Sequence, residues 1–178
     1  MAIEKFIESI PVGPLAIVAL SGSKTLGDTV DAYISDWRSE RIEAKESPIT
    51  FKGYVKDSYL LNVDTPRFGT GEAKCTLRDT VRGTDLYIID DVTNYSVEYT
   101  VCGQKNHMSP DDHYADIKRV IAAASGKAKK ITVIMPFLYE SRQHRRTSRE
   151  SMDCAVMLQE LVNMGVDNIL TFDAHDPR

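Results

Sequence analysis

Apolar runs of strand length alternate with helical stripes along this chain of 178 residues. Leu15 to Leu20 is continuously apolar and follows Pro11-Val12-Gly13-Pro14, a run that resists regular structure, so it predicts a first buried strand. A small polar loop, Ser21-Gly22-Ser23-Lys24-Thr25, then leads into a helical pattern carrying Leu26, Val30, Tyr33, Ile34 and Trp37. Strand, small loop and helix open a βαβ unit. Residues 38–58 are polar and poorly periodic. Tyr59 to Val63 and Lys74 to Leu77 predict two short strands, and Leu86 to Ile89 predicts a buried parallel strand ending in Asp90-Asp91.

From Val92 to Met108 there is no clean period, and the stretch reads as loop with short elements. Ser109-Pro110-Asp111-Asp112 is a strong helix start: Ser caps, Pro fits the first turn and the acids suit the positive end of the helix dipole. Tyr114, Ile117, Val120, Ile121 and Ala124 share one face, and Gly126 stops the helix. Ile131 to Met135 predicts the next strand. A helix follows from about Glu150 to Met164, with Met152, Ala155, Val156, Gln159 and Val162 near one face, and Asn168 to Phe172 predicts the last strand. This alternation implies one α/β domain with a mostly parallel sheet covered on both faces.

Composition narrows the picture. With 42% hydrophobic residues the chain is long enough to bury a core without disulfide or metal staples. Against 26 acids stand 22 Lys and Arg, a net charge of -4, which speaks against nucleic acid as the main partner and makes any anion site local. Cys75, Cys102 and Cys154 form no CxxC pair and read as buried small apolar residues of a reducing compartment. Neither a bilayer-spanning run nor a signal-peptide pattern is present, so a cytoplasmic location without membrane contact is expected.

In parallel sheets ligands bind beyond the carboxyl ends of the strands, and three groups are expected there. Residues 127–149 carry seven basic side chains and one acid, Glu140. Within that segment Arg142, Arg145, Arg146 and Arg149, beside Gln143 and Ser148, occupy a strand-to-helix connection where guanidinium forks can meet phosphate oxygens. A solvated loop with scattered cations is the competing reading. Asp173 and His175 are two apart at the end of the last strand, where a carboxylate and an imidazole can hold a metal if phosphates supply the remaining ligands. A capping Asp and a hydrogen-bonded loop His is the plainer reading. Asp90-Asp91 suggests a metal-binding acid pair as in receiver domains, but the order of the other receiver residues is not met. His107, His113 and His144 lack metal-ligand spacing and read as surface residues, with His144 near the phosphates. Phe68 reads as core or as a base-stacking ring, and Gly69 and Gly71 form no P-loop.

Arg67-Phe68-Gly69-Thr70-Gly71-Glu72, continuing to Val81-Arg82-Gly83-Thr84-Asp85-Leu86-Tyr87-Ile88-Ile89, resembles the corresponding segment of ribose-phosphate pyrophosphokinases, also called phosphoribosyl pyrophosphate synthetases. Three further blocks agree in order: Ser21-Gly22-Ser23, Arg142 to Arg146 with Ser148-Arg149-Glu150, and Thr171-Phe172-Asp173-Ala174-His175. The resemblance implies a phosphoribosyltransferase-like three-layer α/β fold. It also implies an enzyme that transfers pyrophosphate from Mg-ATP to ribose 5-phosphate, giving phosphoribosyl pyrophosphate and AMP. Residues 1–14 would be an N-terminal extension and 15–178 the ATP-side domain, with the second domain lying outside this chain. Phe68 and Glu72, with Thr70 between them, would lie at the adenine; Arg142, Gln143 and His144 would face ATP; Asp173 and His175 would belong to the Mg2+ site.

No catalytic residue is expected within residues 15–178, so the isolated domain is expected to be inactive. The resemblance further implies assembly with other copies of the chain. Several positions depart from the family pattern. Thr70 stands where an Asp or Asn is usual, His144 replaces an Asp, the Arg-rich segment is one residue shorter, and Asp176-Pro177-Arg178 replaces the usual residues after the His. Residues 38–58 and 92–108 look like insertions. These departures motivate the alternative of a non-catalytic regulatory subunit; a nucleic-acid module using the basic island is the weaker third reading.

Overall fold

The computed structural model describes residues 11–44 and 53–176. The expectations for residues 1–10, 45–52 and 177–178 lie outside the described residues. Four strands, β1 (Leu15–Ala19), β4 (Asp85–Ile89), β7 (Lys130–Ile134) and β8 (Asn168–Leu170), form one parallel sheet in the order β1-β4-β7-β8. Their register sets Ile17 against Tyr87 and Ile88 against Val133. Beyond β1, the Ile17 N–H donates to the Tyr59 carbonyl at 2.9 Å and the Leu61 N–H donates to the Ile17 carbonyl at 2.8 Å, so residues 59–61 extend the sheet edge. A hairpin of β2 (Val63–Asp64) and β3 (Thr76–Leu77), and another of β5 (Glu98–Val101) and β6 (Gln104–His107), stand apart from this sheet.

Side chains two apart on a strand share a face, and the two faces of the sheet bury different partners. Ala16, Val18, Leu86, Ile88, Ile131 and Val133 pack with helix α2 (Pro110–Ala124), through Ile117, Val120 and Ile121, and with helix α3 (Asp153–Asn163), through Met157 and Leu161. Ile17 and Ile89 point the other way with Tyr59, against Val30 and Ile34 of helix α1 (Lys24–Glu43). The result is the expected three-layer α/β architecture. Gly27 makes the α1 layer possible, because a Cβ there would collide with that of Ala19.

The start of α2 forms as its sequence predicts. The Asp112 N–H donates to Ser109 Oγ (3.1 Å), the Ser109 N–H donates to the Asp112 carboxylate (2.9 Å), and Pro110 opens the first turn. Two expectations need correction, on α3 and on the cysteines, while the short elements expected within 92–108 are present. Helix α3 starts at Asp153 rather than near Glu150, and Cys154, Met157 and Leu161 form its buried stripe, while Val156 and Val162 are 63% and 57% exposed. The stretch 92–108 contains the β5–β6 hairpin, closed by Cys102 and Gly103, both at positive φ, the conformation of a tight two-residue hairpin turn. Of the cysteines only Cys154 is buried; Cys102 is exposed on that turn and Cys75 is half-buried, where burial and then the Asp116 carboxylate push its thiol up to about 11.

Candidate functional site

Three loops leave the carboxyl ends of β1, β4 and β7, and a buried polar cluster joins the first two. The Gly22 N–H, in the 3-10 turn Ser21–Ser23, donates to Asp90 Oδ1 at 2.9 Å, and the Gly22 carbonyl accepts from Asn94 Nδ2 at 2.8 Å. His113 of α2 is fully buried beneath them; its Nδ1 lies 3.0 Å from Asp90 Oδ2 and its Nε2 3.0 Å from the Asn94 carbonyl. Both ring nitrogens meet oxygen acceptors, so both carry protons while Asp90 is ionised. Burial opposes a charged ring, yet the hydrogen bond and charge of Asp90 hold the His113 pKa above its ordinary value. Only glycine fits at position 22, because a Cβ would lie 2.5 Å from Asp90 Oδ1 and 2.6 Å from the Asp91 carbonyl oxygen. This arrangement corrects one expectation, since His113 is a core residue rather than a surface one, and it spends the Asp90 carboxylate on the cluster.

A second buried group anchors the turn that follows β2. Arg67 Nη2 pairs with Asp116 at 2.8 Å, Arg119 Nη1 reaches the other oxygen at 2.6 Å, and the Arg67 guanidinium lies over the Tyr99 ring. Burial pushes the Asp116 pKa up, although both guanidinium groups favour the ionised form. From that anchor the chain makes a short turn: the Phe68 N–H donates to the Glu72 carbonyl (2.7 Å), and Gly71 takes a positive φ of 91°. The turn leans on the β5–β6 hairpin through the Cys102 N–H, which donates to the Gly69 carbonyl at 3.0 Å. Phe68 is half exposed rather than core, and the Thr70 hydroxyl donates to the Glu72 carboxylate at 2.9 Å.

The basic segment follows β7. The Leu138 N–H donates to the Asp173 carbonyl (3.0 Å) and Phe137 bridges Asp173, so the loops after β7 and β8 run together. A turn with Glu140 at positive φ brings the Gln143 N–H to the Glu140 carbonyl at 2.9 Å. Gln143 Nε2 then donates to the Ser151 carbonyl at 2.8 Å, tying the arm to the start of α3. His144 meets His175 edge to face with ring centroids 5.8 Å apart, and Arg145 pairs with Asp176 at 3.4 Å. Arg142 lines a cavity of about 330 Å³ with Tyr139, Glu140 and Ser141, and the buried Ser141 hydroxyl has no hydrogen-bond partner.

Arg142, Gln143, His144, Asp173 and His175 therefore share one end of the sheet. Phe68, Thr70 and Glu72 sit on the separate turn, and among the described residues no hydrogen bond, ion pair or ring contact joins them to the first group. No three His, Cys, Asp or Glu side chains cluster to grip a metal among the described residues, and no described helix is long and apolar enough to cross a membrane. The sequence reading missed His113, Asn94 and Arg67 as organisers. The available signal was the stripe 113, 117, 120, 124, which puts His113 on the core face of α2.

Comparison with known proteins bears on this arrangement. A family model described as the N-terminal domain of ribose phosphate pyrophosphokinase matches residues 15–165. Ribose-phosphate pyrophosphokinase 1 of Schizosaccharomyces pombe is 28% identical over 64% of this chain and 25% of its own length. A putative ribose-phosphate pyrophosphokinase 2 of Streptococcus mutans is 31% identical over 65% of this chain and 32% of its own. The Haemophilus ducreyi ribose-phosphate pyrophosphokinase is 31% identical over 65% and 33%. This chain thus aligns with a quarter to a third of these curated relatives. In fold it is similar to the crystal structure of the phosphoribosylpyrophosphate synthetase from Mycobacterium smegmatis, with a TM-score of 0.58 at 18% identity over 92% of this chain and 43% of that one.

Proposed function

From the premise that the chain belongs to the ribose phosphate pyrophosphokinase N-terminal domain family, we propose that it supplies the ATP side of a pyrophosphoryl-transfer site. The observation that carries this reading is the convergence of Arg142, Gln143 and His144 with Asp173 and His175 where β7 and β8 end. In the proposed reaction the 1-hydroxyl of ribose 5-phosphate attacks the β-phosphorus of ATP in line, giving phosphoribosyl pyrophosphate and AMP. This chain's part is positioning and charge neutralisation. The Arg142 guanidinium, lining its cavity without an acid partner among the described residues, takes phosphate oxygens, and Gln143, fixed to the Ser151 carbonyl, holds the loop that presents it. Phe68 offers an open ring face for adenine and Glu72 a carboxylate for its amino edge.

Asp173 and His175 fit a Mg2+ ion that keeps most of its own ligands, since one carboxylate and one imidazole suffice when phosphate oxygens and water fill the rest. Bound there, Mg2+ supplies charge neutralisation on the polyphosphate. Ribose 5-phosphate, further copies of this chain and a cytoplasmic setting complete the proposal.

Titration calorimetry tests it. Mg-ATP should bind the folded protein, and Arg142→Ala should weaken binding roughly tenfold, about 1.4 kcal/mol. A folded protein that ignores Mg-ATP overturns the reading. Two observations favour a non-catalytic regulatory subunit as the second reading: Glu72 is already engaged by Thr70, and His144 faces His175 where a carboxylate is usual. AMP formation from ATP and ribose 5-phosphate by the complete protein excludes that second reading.

A further inference from the structure

A two-stranded hairpin is marginal in water on its own, and among the described residues two hairpins stand apart from the parallel sheet. The ribbon of β2 and β3 carries the Phe68 turn at its tip, where Arg67 bridges Ala73 and the Lys74 N–H donates to the Pro66 carbonyl at 3.3 Å. The β5–β6 hairpin meets that tip. In it the Val101–Gln104 pair closes a two-residue turn, whose first residue has an N–H that takes no part in the turn's own hydrogen bond. That spare donor, the Cys102 N–H, is the one that reaches the Gly69 carbonyl.

Side-chain packing repeats this backbone contact. On β5 the half-buried Tyr99 and Val101 share one face, whereas Glu98 is exposed on the other. A Cβ on Gly71 would stand 3.2 Å from Val101 Cγ2 and 3.9 Å from Tyr99 Cε2, so the turn lies directly against that face. Tyr99 also carries the Arg67 guanidinium over its ring at 5.1 Å and donates its hydroxyl to the Asp112 carboxylate at 3.3 Å. The other end of the hairpin is equally fixed. Met108 is buried and its N–H donates to the Val97 carbonyl at 2.8 Å, while Asn94, just before the hairpin, belongs to the Asp90–His113 cluster. Contacts therefore run from that cluster through the hairpin to residues 68–72, and the Phe68 and Glu72 side chains stay exposed.

We propose that the β5–β6 hairpin is a positioning element for the nucleotide base: Tyr99, Val101 and Cys102 hold residues 68–72 in the shape that presents the Phe68 ring and the Glu72 carboxylate together. The inference rests on the reading of Phe68 and Glu72 as the adenine side of the site. It adds that affinity for the base, and not for the polyphosphate, is set by a turn contact 33 residues further along the chain.

The test compares Mg-ATP with Mg-tripolyphosphate, a polyphosphate of the same length without a base, by titration calorimetry. Replacing residues 98–107 by Asn-Gly removes the hairpin and lets the existing hydrogen bond between Val97 and Met108 close a two-residue turn. Mg-ATP should bind this protein roughly tenfold more weakly, the scale of one lost base–aromatic stack, and Mg-tripolyphosphate should bind as before. Val101→Glu, which pushes a longer, charged side chain against Gly71 and leaves the rest of the hairpin in place, should show the same split in milder form. Should the shortened protein fail to fold, the point variant decides by the same two titrations. Unchanged Mg-ATP affinity overturns the proposal, and so does equal weakening of both ligands, which is what a merely structural hairpin would give. Either result leaves the ATP reading intact, whereas absence of Mg-ATP binding by the unsubstituted protein overturns both.

Discussion

Two polar regions at the same end of the sheet follow opposite rules. In the Gly22–Asp90–His113–Asn94 cluster every donor meets an acceptor and both charged side chains are fully buried. In the loop from Arg142 to Arg149 the cations are exposed, and among the described residues only Arg145 has an acid partner, at 3.4 Å. A buried network that satisfies itself has no capacity left for a ligand, whereas an exposed set of guanidinium groups contributes little to stability. The first region fixes where the loops begin, and the second is open to bind. Substitutions should separate the two roles.

The largest effect is expected at Asp90. Asp90→Ala leaves the His113 imidazolium buried without its counter-charge and the Gly22 N–H without an acceptor, which should cost about 3–5 kcal/mol. Urea or thermal unfolding measures it. A loss below about 1 kcal/mol would show that the cluster is not a structural unit and would dissolve the contrast.

The pH dependence of the same cluster comes next. His113 is held above its ordinary pKa in the folded protein, so the folded state binds its proton more tightly than the unfolded chain does. Its contribution to stability is therefore fully present below the ordinary histidine value of about 6.5 and is lost as pH rises through the raised folded value. Unfolding free energies should fall over that alkaline-side window in the unsubstituted protein. The fall should be weaker in His113→Asn, and an unchanged pH slope would disprove the assignment.

Arg142→Ala should do the reverse of Asp90→Ala. With an exposed side chain that makes no hydrogen bond or ion pair among the described residues, its stability change should stay within about 0.5 kcal/mol. Its effect belongs instead to Mg-ATP affinity, as the calorimetric titration above reads. A melting temperature that falls together with affinity would mean that the loop is structural.

The contrast also explains what the sequence could reveal. Strands β1, β4 and β7 are buried on both faces, so they print continuous apolar runs, and α2 carries its cap, Pro and acids within four residues. Each of these signals is local. In the β5–β6 hairpin Tyr99 and Val101 alternate with Glu98 and Thr100, but β6 is polar and exposed at all four positions, so the sequence offers no second alternating run to pair with β5. Helix α3 misled because Val156 and Val162 mimic a buried stripe while lying on its outer side. The partners of His113 lie 23 and 19 residues away in sequence, a separation that no periodicity encodes. On the candidate site the Arg-rich loop and the Asp173/His175 turn were legible because both follow strands, but the anchoring of the Phe68 turn by Arg67 and Asp116, 49 residues apart, was not.

The smallest expected effect is at Thr70, and it probes the open region most finely. Its hydroxyl donates to Glu72 at 2.9 Å, but both residues are exposed, so water replaces the bond at little cost. Thr70→Val keeps the shape and removes the donor, and unfolding should shift by less than about 0.5 kcal/mol. The substitution also releases the Glu72 carboxylate, so if Glu72 reads the adenine amino group, Mg-ATP should bind at least as tightly as before. A destabilisation above 1 kcal/mol would move this turn into the class of the Asp90 cluster. Weaker binding at unchanged stability would assign the hydroxyl itself, rather than Glu72, to the nucleotide.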